Sequence, residues 1–286
     1  MLNTPLRLTC LSVGLLCGCL CTSLRAQSTN DPNTPSNTPS SDAPQTQSAD
    51  DADAQSGEDS KGKWALGLGI TDTKTAYRRY NQKIMPLPLI RYNGDRFFID
   101  GVTLGFRLFD VGQSRFSIIA SPWGEEFLHQ DTKDPQLRHL KDRSFSALAG
   151  VQWRYQADWG TLKVSAQREM TGHGGGELGD ASYSYTFSMG SFHLTPELGA
   201  NYSSSALNNY YYGISPVEAA RSGLHSYRPG NGVSPYLGIV ASYELSRSWT
   251  IFTGVHYTEL PSTIKKSPMV QFNHTESVFF GLSHSF

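Results

Sequence analysis

The run Phe192-His193-Leu194-Thr195-Pro196-Glu197-Leu198-Gly199-Ala200-Asn201-Tyr202 alternates without a break. Phe192, Leu194, Pro196, Leu198, Ala200 and Tyr202 fall on one parity, and His193, Thr195, Glu197, Gly199 and Asn201 on the other. A period of two sends successive side chains to opposite faces of a β-strand. A strand of about ten residues is what a tilted crossing of a bilayer needs.

The same pattern recurs on both sides of this stretch. Trp64, Leu66, Leu68 and Ile70 alternate with Ala65, Gly67 and Gly69, and Val102, Leu104, Phe106 and Leu108 with Thr103, Gly105 and Arg107. Residues 145–155, 162–167, 181–189, 233–245 and 249–257 follow suit. A soluble sandwich with one dry face also alternates. Strand length and the aromatics near strand ends (Trp64, Trp153, Tyr155, Tyr202, Tyr243, Trp249, Tyr257) favour a membrane barrel with interfacial girdles. The opposite face, of Gly, Ser, Thr and scattered charge, suits a hydrated lumen. Lipid tolerates no open sheet, so the strands must close.

The fold expected is therefore all-β, a closed antiparallel transmembrane barrel over 63–286. Long connections at 72–83, 122–143, 171–180, 203–232 and 259–275 belong outside. Short turns at Asn93-Gly94, Val111-Gly112, Asp158, Gly190-Ser191 and Ser246-Arg247 belong in the periplasm, and Asn-Gly accepts the positive φ of a tight hairpin. A further turn at Asp100-Gly101 puts every long loop on one side and gives twelve strands; without it the count falls to ten. The last strand ends in Phe286, with Leu282 and Phe280 on its apolar face. This resembles the signal read by the barrel assembly machinery, although His284 stands where an aromatic is more usual.

What precedes the barrel is of another kind. All four cysteines (Cys10, Cys17, Cys19, Cys21) lie in or beside an apolar run that follows Arg7, which fits residues 1–26 as a signal peptide. Leu24-Arg25-Ala26 offers a cleavage site, and Leu16-Cys17-Gly18-Cys19 an alternative at which Cys19 would be lipidated. Residues 27–62 form a Ser/Pro/Asp-rich tail expected to be disordered, with seven acids and no Lys or Arg between 27 and 60. Removing those acids, Arg7 and Arg25 from the formal charge of −1 leaves +4 on residues 61–286. So small a charge, with no basic stripe, does not suggest a nucleic-acid partner.

Catalytic signatures are missing from the sequence. The eight histidines are dispersed, no GxSxG elbow occurs, and no cofactor or metal is expected. His173-Gly174-Gly175-Gly176 has the look of a flexible loop tip. Arg107, Arg154, Lys163, Glu197 and Glu244 are candidate lumen charges, which either pair and occlude the bore or line a weakly selective channel.

Three segments resemble the MltA-interacting protein (MipA)/OmpV family of outer-membrane proteins. The first runs from Pro86 through Tyr92, Gly94 and Asp100 to Leu108. The second is Tyr211-Tyr212-Gly213-Ile214 with Glu218, Ser222, Gly223, Tyr227 and Gly230. The third leads from Trp249 through Ser267-Pro268-Met269-Val270 to Phe286. The resemblance implies a non-enzymatic outer-membrane barrel in contact with lipid. It also implies a scaffold joining a murein-degrading lytic transglycosylase to a murein synthase, with adhesion as an alternative; the barrel lumen raises solute passage as a further one. Tyr211, Tyr212, Gly213, Glu218, Ser222 and Gly223 then become a candidate contact or mouth-closing segment, with a helical turn at 216–221.

Overall fold

A computed structural model describes residues 63–80 and 84–286; the expected signal peptide, Cys19 and the acidic tail lie outside them. The strands are β1 (Lys63–Lys74), β2 (Ile84–Asn93), β3 (Phe97–Asp100), β4 (Thr103–Val111), β5 (Ser114–Trp123), β6 (Ser146–Ala157), β7 (Gly160–Glu169), β8 (Glu177–Ser184), β9 (Phe187–Met189), β10 (Phe192–Ser203), β11 (Gly232–Glu244), β12 (Trp249–Glu259) and β13 (His274–Ser285). Each pairs antiparallel with its neighbours in one sheet, closed where β13 meets β1 and β10 meets β11.

β8 and β9 are two pieces of one stave, since both pair with β10. The barrel therefore has twelve staves, and the Asp100-Gly101 turn is present, with Gly101 at φ 61°. The alternation expected through 181–189 keeps its parity, since β8 and β9 hold one register against β10, but the strand's ladder breaks at Tyr185-Thr186. The cause is Pro196, which lies opposite Tyr185 in register. It accepts from the Tyr185 N–H at 3.3 Å but has no N–H to return.

The outward face is apolar, with Leu68, Val151, Val164, Leu198, Val255 and Phe280 all well exposed to the surroundings. In water such a surface would be a liability; in hydrocarbon it is required. The lumen departs from the expected hydrated face. Leu87, Leu89, Val240, Phe252 and Phe279 are buried inside it and pack together. Several inward aromatics lie over the glycine opposite them in register: Phe98 over Gly105, Tyr236 over Gly199, Phe279 over Gly254 and Phe252 over Gly281. A Cβ on any of these glycines would come within 2.0–2.4 Å of the ring. The inward glycines make room for rings.

The turns at Asn93-Gly94, Val111-Gly112, Asp158, Gly190-Ser191 and Ser246-Arg247 and both described ends of the barrel lie at one end of the cylinder, called here the turn end, while the Asp100-Gly101 turn points the other way. The loop residues 75–80, 124–145, 170–176, 204–231 and 260–273 gather at the other, the loop end. These loops hold three helices, α1 (Ser205–Tyr212), α2 (Pro216–Ser222) and α3 (Ser262–Lys265). α2 starts with the Ser215–Glu218 capping box and Pro216 in its first turn, and stops at Gly223 in the left-handed region at φ 73°.

Candidate functional site

The loops do not splay; they fold into a cap over the mouth. Tyr77, Phe127, Leu137, Leu207, Tyr211, Tyr212, Ile214 and Met269 form its core, all nearly inaccessible to solvent. Burying each such side chain contributes roughly 1.5–3 kcal/mol. Isolated bridges tie the loops together: Tyr77 to Val270, Tyr80 to Thr132, Phe127 to Arg143 and Ile214 to Tyr227. His173 belongs to this cap rather than to a loose tip. Its ring stacks on Tyr210 at 4.3 Å, and Nδ1 lies 3.1 Å from Ser146 Oγ.

Tyr211 is a hub. Its hydroxyl accepts from the Ser146 N–H at 3.0 Å and is within 2.8 Å of the Trp123 carbonyl, to which it donates. Tyr212 lies under the Tyr77 ring at 5.5 Å, and its carbonyl accepts from Ser267 Oγ at 2.6 Å. Burial pushes the phenol pKa of Tyr77, Tyr211 and Tyr212 upward.

The charged centre of the cap is Glu218 with Arg143. Their side chains are 4% and 8% exposed, and Arg143 Nη2 donates to Glu218 Oε1 at 2.8 Å. The same carboxylate accepts from the Lys141 N–H at 3.1 Å, the Ser215 N–H at 3.0 Å and Ser215 Oγ at 2.8 Å. Burial alone would raise its pKa; the hydrogen bonds from Ser215, Arg143 and Lys141 outweigh that and hold it at about 2. Gly213 offers its carbonyl to Arg143 at 3.3 Å, and Ser222 Oγ donates to the Glu218 carbonyl at 2.7 Å. The Tyr211–Gly223 segment singled out in the sequence is thus internal cap structure. Arg143 gave no sequence signal, because a lone arginine in a polar loop says nothing about its partner. Glu218 could have been found from Ser215-Pro216-Val217-Glu218, a capping-box spacing.

A second carboxyl behaves in the opposite way. Glu125 has one oxygen fully enclosed with no hydrogen-bond partner, and burial lifts its pKa to about 7 against a single opposing bond from the Ala76 N–H. It lines a small cavity of about 50 Å³ beneath Tyr211 and Tyr212.

Below the cap the candidate lumen charges separate into two groups. Lys163 of β7 and Glu197 of β10 meet along the inner wall, on either side of β8, at 3.6 Å, with Glu197 buried. Arg154 stands beside Lys163 in register. Arg107 folds back onto the β2–β3 turn, donating to Asn93 Oδ1, the Gly94 carbonyl and the Asp95 carbonyl, with Phe98 beneath it. Glu244 sits at the turn end, 3.3 Å from His193 Nε2. Lys163 and Glu197 pair with each other along the wall, across the one intervening stave β8, and not across the lumen as anticipated. Phe280 and Leu282 face outward on β13, and the Phe286 N–H donates to the Trp64 carbonyl at 2.9 Å.

A closed twelve-stave barrel with a lipid-type exterior defines the chain as a transmembrane outer-membrane β-barrel. Its residues 66–286 match the family model described as MltA-interacting protein MipA, and the chain belongs to that family. It is 32% identical over 226 residues to the MltA-interacting protein of Escherichia coli (strain K12), covering 79% of this chain and 91% of the relative. It is 35% identical over 222 residues to the outer membrane protein YiaT of the same organism, covering 78% and 90%. Among solved structures, the NanC porin matches 77% of this chain and 98% of its own at 6% identity, with a TM-score of 0.41.

Proposed function

We propose that this barrel is a non-enzymatic anchor that holds murein-remodelling enzymes, a lytic transglycosylase and a murein synthase, against the outer membrane. The observation that carries the reading is the packed cap. With the mouth filled by buried aromatics and Leu87, Leu89, Val240, Phe252 and Phe279 packed inside the bore, the ends of the barrel are the surfaces left to act. The name of the Escherichia coli relative supports a murein-enzyme partner. In this reading the turn end faces the periplasm, and residues 27–62 add to a contact area that short turns alone make small. The terminal Phe286 strand serves assembly.

The test is crosslinking in cells, followed by purification of the barrel and identification of what accompanies it. Recovery of a lytic transglycosylase or murein synthase is expected, and its loss on deleting 27–60 would locate the contact. Recovery of the barrel alone would overturn the reading. The polar space beneath the cap favours solute passage as a second reading. That reading requires stepwise conductance in planar bilayers from protein with an intact cap.

A further inference from the structure

The barrel wall is not equally tall all round. β1 pairs with β2 along its whole length, from Ile84 to Asn93, whereas β3 pairs only with Arg91, Tyr92 and Asn93. The β3–β4 hairpin tops out at Gly101, whose N–H donates to the Ile90 carbonyl at 3.0 Å. Beyond it, β4 reaches β5 no higher than the Leu104–Ala120 pair, so Ser121, Pro122 and Trp123 have a neighbour only in β6. Above the hairpin, no strand of the described residues lies between β2 and β5, where two would fit. Three strand spacings of ~4.8 Å make the gap about 14 Å wide. The Tyr80–Thr132 bridge passes over its loop side, so the gap is a window. In register, Pro86 and Pro88 stand beside Ile70 and Leu68, which are 52% and 65% exposed on the outer face. The window therefore opens within the apolar belt.

An open sheet edge in hydrocarbon leaves backbone groups without partners, which is costly. Here the sequence removes the donors. The Ile90 carbonyl points toward β3, so Pro86 and Pro88, of the same parity, turn their backbone polar positions to the window. On the opposite edge, the Arg107 N–H donates to the Arg96 carbonyl on the β3 side. Leu104 consequently faces β5, and Pro122 shares the parity of its partner Ala120. All three prolines thus lack an N–H where no strand would receive it. The rim offers carbonyl oxygens at these positions and no donors, which does not suit an added peptide strand. It suits a ligand that brings its own donors.

A ligand also has somewhere to go. The polar cavity of about 90 Å³ in the lumen is lined by Thr103, Ser121, Pro122 and Trp123 of the window frame and, deeper in, by Asp180 and Glu197. We propose that the window is a lateral port for a bilayer amphiphile. Its donor-bearing polar end, an ammonium or hydroxyl, enters the cavity while its hydrocarbon chain stays in the apolar belt. The proposal is independent of the anchoring role.

Trp123 allows a direct test. It lies on the inward parity of β5, and the other tryptophans, Trp64, Trp153, Trp159 and Trp249, lie toward the turn end. The full chain carrying Trp64→Phe, Trp153→Phe, Trp159→Phe and Trp249→Phe is reconstituted in vesicles of phosphatidylethanolamine brominated in its acyl chains, or of equally brominated phosphatidylcholine. The port predicts at least twofold quenching of Trp123 by the ethanolamine lipid and weaker quenching by the choline lipid, whose head group has no N–H. Emission unchanged from unbrominated vesicles would overturn the port. Equal quenching by both lipids would overturn the requirement for donors.

A second measurement covers poor folding of the tryptophan variant. In otherwise unaltered protein, Ser121→Cys at the window should react with maleimide carried on a phosphatidylethanolamine head group. Ser234→Cys, inward on the intact wall of β11, should react at least tenfold more slowly. Equal rates would overturn the proposal.

Discussion

Glu218→Ala should unlatch the cap and leave the barrel standing. The substitution removes a carboxylate that accepts four hydrogen bonds, from Arg143, Lys141 and twice from Ser215. It leaves the Arg143 guanidinium, 8% exposed, with only the Lys141, Asp142 and Gly213 carbonyls around it. Deleting one member of a buried ion pair costs about 3–5 kcal/mol, because the other is stranded away from water. The cap opening equilibrium should shift by a hundredfold to several-thousandfold on that scale. The readout is tryptic cleavage at Arg138, Lys141 and Lys265 in reconstituted protein, with barrel integrity followed separately by resistance to unfolding in detergent on heating. Cleavage should accelerate while the barrel keeps its wild-type melting. The double variant Arg143→Met with Glu218→Leu removes both charges and should recover most of the protection. Wild-type cleavage rates in Glu218→Ala would refute the latch, and so would collapse of the barrel together with the cap.

The other predictions are briefer. The pH dependence of the cap has two opposed arms: the Glu218 contribution is complete above its unfolded pKa of about 4.5 and is lost as pH falls toward about 2. Glu125, raised to about 7, does the reverse, so the cap should loosen by up to about 3 kcal/mol as pH climbs from 4.5 past 7, and Glu125→Gln should abolish that arm. Trypsin protection across pH 4 to 8 checks both. Val164→Arg and Leu198→Arg, on the outer face, should each cost roughly 2–4 kcal/mol near the bilayer midplane, whereas Ser165→Arg, pointing into the polar cavity beside Asp180, should be tolerated in urea unfolding from vesicles. Pro88→Ala adds an N–H at the window edge with no strand to receive it, and should lower stability by about 1–3 kcal/mol in the same assay, with no loss expected if the edge were covered.

Much of the wall was legible because its determinants are local. Period-two patterning fixed which residues face lipid, and the turn residues fixed parity, down to the Asp100-Gly101 hairpin on which the count of twelve depends. What escaped was decided by partners distant in sequence. The break at Tyr185 reflects a proline on the neighbouring strand, and the apolar filling of the lumen follows from which strands meet across the bore. Arg143 and Glu218 are 75 residues apart, so no window of sequence shows them together. The three prolines of the wall gap were visible as residues, yet their meaning depends on knowing which edge has no neighbour.

The centre of the cap joins opposite ends of the barrel chain. Tyr77 follows the first strand, and Met269 and Val270 precede the last. They meet through the bridge at Val270 and the Arg78 N–H bond to the Met269 carbonyl at 2.9 Å. These contacts span almost the whole barrel in sequence, so they carry the largest loop-closure cost and should form late. A nascent barrel whose last strand has not yet zipped to the first has no means of assembling the aromatic cluster. Its loops would stay open to added protease. The finished cap therefore acts as a seal of completed closure, marking the moment when seam and lid come together.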